Sequence, residues 1–434
     1  MKEIKVGLIG FGTVGKGLAE VLLSQRERLV RRTGMVIRLA GIADHGTTVL
    51  PERFSDIPLT RDAMELINNP EIDIIAELIG GIEPAKTFVM QAIAAGKHVV
   101  TANKALLSQE GADIFAAAAK MGVEVGFEAS VGGGIPVIKA LKEGLVANKI
   151  LSIMGIMNGT ANYILTRMTD EGVPFAEVLK DAQKLGFAEA DPTYDIEGID
   201  TAHKLAILMT IAYGTPITHH QIATEGISRI EPMDIELARE LGCRIKLLAI
   251  SRNHGDHVEA RVHPTMVPQN HLLASISGAY NAIHFQGDTV GNVLLYGQGA
   301  GMIPTGSAVA ADVVDIARNI ACGSIGRVPA LSYLPEQMQP RRITPMDELY
   351  GPYYFRLTVL DQPGVLSAIA GILCKYEISI ESVIQKGRKK VGAVPLVIVT
   401  HSAKESAVSG ALSEIGQLKT VTAPVVKIRI LEEE

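Results

Sequence analysis

The sequence contains no tryptophan, and aromatic residues make up only 4% of it. It has no basic run, and its net charge is −6. Both absences argue against nucleic acid as a main partner. Its three cysteines, Cys243, Cys322 and Cys374, are scattered without CxxC spacing. That excludes a disulfide framework and fits a reducing, cytoplasmic setting. The longest apolar run, near Leu205–Tyr213, is too short to span a bilayer, so no membrane partner is expected. The opening MKEIKVGLIGFG turns into a glycine motif where a signal peptide needs a cleavage site, and it reads as a strand.

What the chain does have is length and apolar content. Its 434 residues, 47% of them hydrophobic and 20% charged, suggest two to four domains with real cores. The fold class expected is α/β. A Rossmann-like dinucleotide-binding domain spans 1–130, completed by a helix from the 305–325 region. An α+β catalytic domain with a mostly antiparallel sheet spans 131–304. A linker follows at 327–352, then a ferredoxin-like unit at 353–434.

The first domain is read from its opening. Ile4–Gly10 is a continuous apolar run, the mark of a buried parallel strand. Gly10, Phe11, Gly12, Thr13, Val14 and Gly15 follow at once, and Val14–Leu29 reads as a helix. This is GxGxxG between strand and helix, where it binds a dinucleotide. Gly10 permits the turn, Gly12 admits a pyrophosphate, and Gly15 lets helix and strand pack closely. The bland alternative is a plain glycine-rich turn. The second strand, Val36–Ala43, ends at Asp44, whose carboxylate suits an adenosine ribose and repels a 2′-phosphate. No arginine follows until Arg53, which favours NAD or tolerance of it. Further strands are expected at Ile72–Leu78, His98–Thr101 and Val123–Ala129, with a helix at Ala85–Ala94. Lys104 follows a strand end, which aims it at the cofactor crevice; a solvated surface lysine is the alternative.

In the middle domain, Val131-Gly132-Gly133-Gly134-Ile135-Pro136 opens a helix. With Glu128 upstream it offers either a site for a hard monovalent cation or a flexible hinge. Ile150–Ile156 reads as a strand ending in Asn158-Gly159-Thr160. Between Ala182 and Lys204 the chain concentrates Glu189, Asp191, Asp195, Glu197 and Asp200, then one lysine. Pro174–Leu185 reads as a helix stopped by Gly186. Asp200 and Lys204 are four apart, so they share a face of the following helix. The bland reading is a solvated acidic loop beside an ordinary ion pair. From Arg244 to Gln286 the pattern alternates, as in an antiparallel sheet. His254, His257, His263 and His271 there lack companions at zinc-site spacing. Gly297–Gly301 is a second glycine-rich turn before a helix expected at Thr305–Ile320, which should pack on the first domain and bring Gly301 near the cofactor.

The segment Ala182–Lys204 resembles the signature of the homoserine dehydrogenase family along its whole length: A-x3-G-F-A, then DP-x2-D-I-x-G-x-D-x3-K. The TANK strand end, FEASVGGG, the NGT turn and GAG-x3-T are also similar to that family and in the same order. The resemblance covers residues 1 to about 325. It implies hydride transfer between NADP or NAD and the pair L-aspartate 4-semialdehyde and L-homoserine, in threonine, methionine and isoleucine biosynthesis. It implies that Lys204 moves the proton, with Lys104 in the crevice touching cofactor or substrate. It implies substrate binding by Glu189, Asp195, Asp200, Gly159 and Thr160, with Glu189 reaching the ammonium. Gly186 and Gly301 join the cofactor set, and Glu128, Val131, Gly133 and Ile135 hold a sodium ion, the last three through carbonyls. Two departures stand out. Asp44-His45-Gly46 replaces basic residues that many relatives place after the second strand. Gly306 stands where an alanine is usual, a change read as harmless. The chemistry agrees with the resemblance, because an alkoxide needs only a proton, and a lysine supplies it if its pKa is lowered. Burial and the charge of Lys104 would lower it.

Five prolines between Arg327 and Pro352 read as a linker. Beyond them the pattern is βαββαβ, with strands at 354–360, 379–386, 393–401 and 425–431. Asp361-Gln362-Pro363-Gly364 at its first turn is similar to an ACT domain, a small-ligand sensor. The resemblance implies threonine as effector, at Asp361 and Gly364. A bare dimerisation module is the alternative. Assembly as a homodimer or homotetramer is expected. A chain starting at the dinucleotide strand leaves no room for a fused aspartate kinase. The rival functions are a dehydrogenase of another small aldehyde or amino acid, and an inactive amino-acid sensor.

Overall fold

The computed structural model describes residues 1–188, 190–385 and 392–432. Two sheets carry the chain. The first has six parallel strands in the order Leu59–Thr60, Met35–Ala43, Lys2–Ile9, Ile74–Glu77, His98–Thr101, Val125–Gly126. The order reverses beside Lys2–Ile9, which opens a crevice beyond the carboxyl ends of the strands. Residues such as Val6, Leu8 and Ile75 are fully buried because helices cover both faces.

The helix expected at 14–29 is two helices, Thr13–Ser24 and Arg26–Thr33, broken at Gln25. The expected strand at 123–129 shortens to Val125–Gly126 and then tightens into a turn at Glu128–Ser130. Pro136 stands just before the helix Val137–Lys139, which widens into a π-helical turn at Ala140–Gly144. The late helix runs Met302–Cys322 and packs on Thr13–Ser24, as expected; Leu18 and Leu22 share a core with Val309 and Val313.

The second sheet begins with an antiparallel run from one edge: Gly291–Gln298, Tyr280–Gly287, Ile150–Ile156, Cys243–Asn253, His257–Pro268. It continues without a break into the tail. The final strand, Val426–Ile430, lies parallel to His257–Pro268 through Thr265–Arg429 and Met266–Ile430. Beyond it come Tyr353–Leu360, Ala393–Thr400 and Ile380–Gln385, all antiparallel. Within the tail this order is 4-1-3-2, the ferredoxin-like arrangement, with helices Val365–Lys375 and Glu405–Ile415 on its outer face. The expected strand at 379–386 is seen as Ile380–Gln385, and its last residue lies outside the described residues.

The proline-rich stretch is packed rather than free. Arg342–Ile343 pairs with His257–Val258, Leu349 is buried, and Tyr350–Gly351 pairs with Ala403–Lys404. Proline kept this stretch from forming long strands, but it did not keep it off the surface of its neighbours.

Candidate functional site

Helix Ile199–Tyr213 is buried over most of its length, which is why it reads as apolar around its circumference. Its first turn carries Asp200, and Lys204 lies one turn on. Lys204 Nζ donates to Asp200 Oδ2 at 2.6 Å and to Met157 O at 2.6 Å. An ammonium has three donors, so one remains for a ligand oxygen. Lys104 begins helix Lys104–Met121 directly after the strand His98–Thr101, and its Nζ lies 3.1 Å from the other Asp200 oxygen. One carboxylate therefore grips both lysines.

The electrostatics follow from that bridge. Burial pushes the Asp200 carboxyl up, but Lys204 and Lys104 together outweigh it and hold it well below the usual range. Burial pulls the Lys204 ammonium down; Asp200 opposes this, and Lys104 adds to it by repulsion. Asp200 raises Lys104. The site thus pairs a fixed cation with a second lysine that gives up its proton more readily.

Asn158 completes the cluster. Its Oδ1 caps helix Gly159–Glu171 by accepting the Ala161 N–H at 2.8 Å. Its Nδ2 donates to Asp195 Oδ1 at 2.7 Å and to Asp200 Oδ2 at 2.9 Å. Burial raises Asp195, and the Asn158 bond moderates it. In the sequence Asn158 stands at a strand end and in the NGT turn; an asparagine beside a glycine is also a helix-capping signal. Thr160 Oγ1 donates to Phe187 O at 2.6 Å, which ties the acidic loop to the same helix. Gly159 and Thr160 lie on the first turn of that helix, and Gly186 (φ 76°) follows helix Phe175–Lys184. Glu189 lies outside the described residues.

His203 was also missed. It is fully buried next to Lys204 in sequence. Its Nδ1 meets Ser108 Oγ on the Lys104 helix, and its ring stacks on His219 at 3.8 Å. Burial, then the charge of His219, lowers it to about 4.

On the cofactor side, Gly10 has φ 98°, and a Cβ on Gly15 would sit 2.0 Å from Gly10 O, so neither place admits a side chain. Gly12 faces open space. Phe11, Thr13 and Val14 fill the remainder of the turn and the start of helix Thr13–Ser24. Asp44 Oδ2 accepts the Phe11 N–H at 2.7 Å; Oδ1 accepts those of Gly46 and Thr47. Asp44 therefore has a structural duty that the sequence reading did not include: it pins the glycine turn to the end of the second strand. Gly301 begins helix Met302–Cys322, and the adjoining Gly299 O would be 2.4 Å from a Cβ on Gly133.

The residues expected to hold a cation surround the start of the helix Val137–Lys139. Both Glu128 oxygens are engaged: Oε1 takes the Ile138 N–H and Oε2 the Lys139 N–H, each at 2.8 Å. Burial raises the carboxyl against those bonds. Ile135 O already accepts the Val137 N–H at 2.8 Å. The carboxylate thus caps the helix start, and each of its oxygens, like Ile135 O, keeps a further lone pair beside the N–H it accepts. In the tail, Gly364 (φ 90°) precedes helix Val365–Lys375, and Asp361 is exposed beside it.

Residues 10–128 match the family model for the homoserine dehydrogenase NAD binding domain, and 136–314 match that for homoserine dehydrogenase. A homoserine dehydrogenase of Neisseria gonorrhoeae is 46% identical over 99% of both chains. The crystal structure of one from Thiobacillus denitrificans is 48% identical, with a TM-score of 0.94 over 100% of this chain and 99% of that one. A hyperthermophilic archaeal homoserine dehydrogenase solved in complex with NADPH is 25% identical, with a TM-score of 0.62 over 73% of this chain and 98% of that one. The chain belongs to the homoserine dehydrogenase family: it is an NAD(P)-dependent oxidoreductase whose substrates are L-homoserine and L-aspartate 4-semialdehyde.

Proposed function

We propose that Lys204 takes the proton from the homoserine hydroxyl during oxidation and returns it to the aldehyde oxygen in the reverse direction. The observation that carries this is the Asp200 bridge, 2.6 Å to Lys204 and 3.1 Å to Lys104. A nicotinamide cofactor held at the Gly10–Gly15 turn would supply hydride exchange with the substrate carbon. The protein's own part is to orient and to move one proton. Asp200 and Met157 O fix the Lys204 amine, so its remaining donor direction points at one substrate atom. Burial brings its pKa toward the working range. Lys104, held protonated by Asp200, stabilises charge developing on the substrate oxygen. Asp195, with Glu189 by resemblance, receives the substrate ammonium, and Gly159 and Thr160 frame it.

Asp44 stays ionised: burial raises it, but the Phe11, Thr47 and Gly46 N–H groups outweigh that. A carboxylate there disfavours the 2′-phosphate of NADP, so NAD is the better-tolerated cofactor of the two. The ferredoxin-like tail and its Gly364 helix start support threonine as effector, held at Asp361 and Gly364. Two open sheet edges, Gly291–Gln298 and Ile380–Gln385, support a homodimer or homotetramer. Free cysteines Cys243, Cys322 and Cys374 suit a cytoplasmic setting.

Lys204→Ala tests the central role. Turnover of homoserine should fall by about 10²–10⁴-fold while the cofactor still binds. Near-normal turnover would remove Lys204 from the chemistry.

A further inference from the structure

The tail reaches towards the candidate active site through one arginine. Arg429, buried on the last strand, clamps two carboxylates. Its Nε and Nη2 donate to Glu405 on the tail, at 2.9 and 2.7 Å. Its Nη1 and Nη2 donate to Glu225 of the catalytic part, at 2.9 and 2.7 Å. Such forked pairs fix orientation as well as distance.

Glu225 is half-exposed, so its importance lies in where its backbone goes. It follows the short strand Ala223–Thr224, which lies parallel to His257–Pro268, and its N–H donates to Val262 O at 2.8 Å. The next two residues press on the segment Ile196–Gly198. Ile227 N–H donates to Ile196 O at 2.8 Å. Gly226 lies so close that a Cβ there would be 2.7 Å from Glu197 Cα. A Cβ on Gly198 would be 3.0 Å from Val262 Cγ1 and 3.1 Å from Thr224 Cγ2. Ile196–Gly198 is the short link joining Asp195 on one helix to Asp200 on the next.

We propose that Arg429 and Glu225 are positioning residues for the reaction: they hold segment 225–227 against 196–198 and so set the places of Asp195 and Asp200. The tail strand is then part of the scaffold of the site. This inference rests on the assignment of Asp195 and Asp200 to the substrate site. Small displacements there matter, because a shift of about 1 Å in a positioned group costs as much as about 100-fold in rate.

The test uses the full-length enzyme with Glu225→Gln and Arg429→Lys, which keep size or charge and lose the forked geometry. Arg356→Lys is the control. Arg356 clasps Asp234 across the same junction, at 2.6 and 3.1 Å, and no hydrogen bond joins Asp234 to residues 195–200 among the described residues. Glu225→Gln and Arg429→Lys should raise KM for homoserine about tenfold and leave KM for the cofactor within about twofold. Arg356→Lys should lower the melting temperature without that rise. An unchanged homoserine KM in the first two variants, or an equal rise in the control, overturns the proposal. Asp200→Asn is measured alongside. If that variant behaves as wild type, the assignment of Asp200 fails, and the positioning role falls with it.

Discussion

Asp200 and Lys204 lie one helical turn apart and meet at 2.6 Å, in a place where both are nearly buried. The contact opposes the effect of burial, since Asp200 favours the charged lysine that burial disfavours. Removing that anion should therefore lower the Lys204 pKa further. In Asp200→Asn, the acidic limb of the kcat–pH profile for homoserine oxidation should move to lower pH by about one unit or more. Turnover should also drop, because Lys104 loses its anchor. A limb that stays in place or moves to higher pH contradicts the bridge.

Lys246 gives a pH test away from the chemistry. It is 2% exposed and donates to Asn162 Oδ1 at 3.1 Å and to Ile276 O; the Asp170 carboxylate favours its charged form but does not outweigh burial. Burial, with the nearby charge of Arg244, lowers it from 10.5 to about 8. Between those values the unfolded chain keeps a proton that the folded chain has lost, so stability rises with pH across that window. Lys246→Met lacks this dependence. Urea midpoints of the pair should shift in favour of wild type as pH rises from about 8 to about 10. A gap that stays constant with pH shows that Lys246 titrates normally.

Gly17 and Gly306 meet backbone to backbone where helix Thr13–Ser24 crosses helix Met302–Cys322. A Cβ on Gly306 would be 2.4 Å from the Gly17 carbonyl carbon and 2.7 Å from Leu18 N. Glycine at 306 is accommodated here, and the close crossing depends on it. Gly306→Ala should cost about 1–3 kcal/mol by overpacking and weaken cofactor binding, since Thr13–Ser24 begins at the glycine turn proposed to hold the cofactor. Thermal melts and cofactor titration check this. A variant with unchanged melting temperature would mean that the helices separate freely.

Much of this was legible from local pattern. The strand His98–Thr101 and helix Ala85–Ala94 fall where the apolar periodicity puts them, because burial on both faces leaves one register. The Asp200–Lys204 pair is an i,i+4 relation and needs no tertiary information. The break at Gln25 was missed because no glycine or proline marks it. The structural duties of Asp44 and Glu128 were hidden for another reason: a carboxylate accepting backbone N–H groups looks the same in sequence as one awaiting a ligand. The pairing of Thr265 with Arg429 joins residues far apart in the chain, and no local signal announces it. The prolines before it pointed to separation of the tail, whereas the sheet runs through.

That continuity changes how the regulatory reading must be tested. A chain ending near Leu349 keeps every residue proposed for the chemistry and lacks the ferredoxin-like unit. Such a chain lacks Val426–Ile430, which exposes the edge of His257–Pro268, and it strips Asp234 of both Arg356 and Tyr354. Asp234 is fully buried only with those partners in place, so the truncation removes an ion pair and uncovers the apolar surface around it. The truncated enzyme should therefore melt earlier and bind homoserine less well, whatever threonine does. A point change in the sensor separates the two effects. Asp361 is exposed, and the only hydrogen bond to its side chain among the described residues is a long one from Gln385 Nε2 at 3.4 Å. Asp361→Ala should leave basal turnover and melting temperature unchanged and shift the threonine dose–response to higher concentration, because it removes only the partner of the effector's ammonium. The carboxylate end would still find the N–H groups after Gly364, so inhibition should weaken rather than vanish. If the dose–response of Asp361→Ala overlays that of wild type, threonine is not held at this turn, and the tail serves the enzyme as scaffold alone.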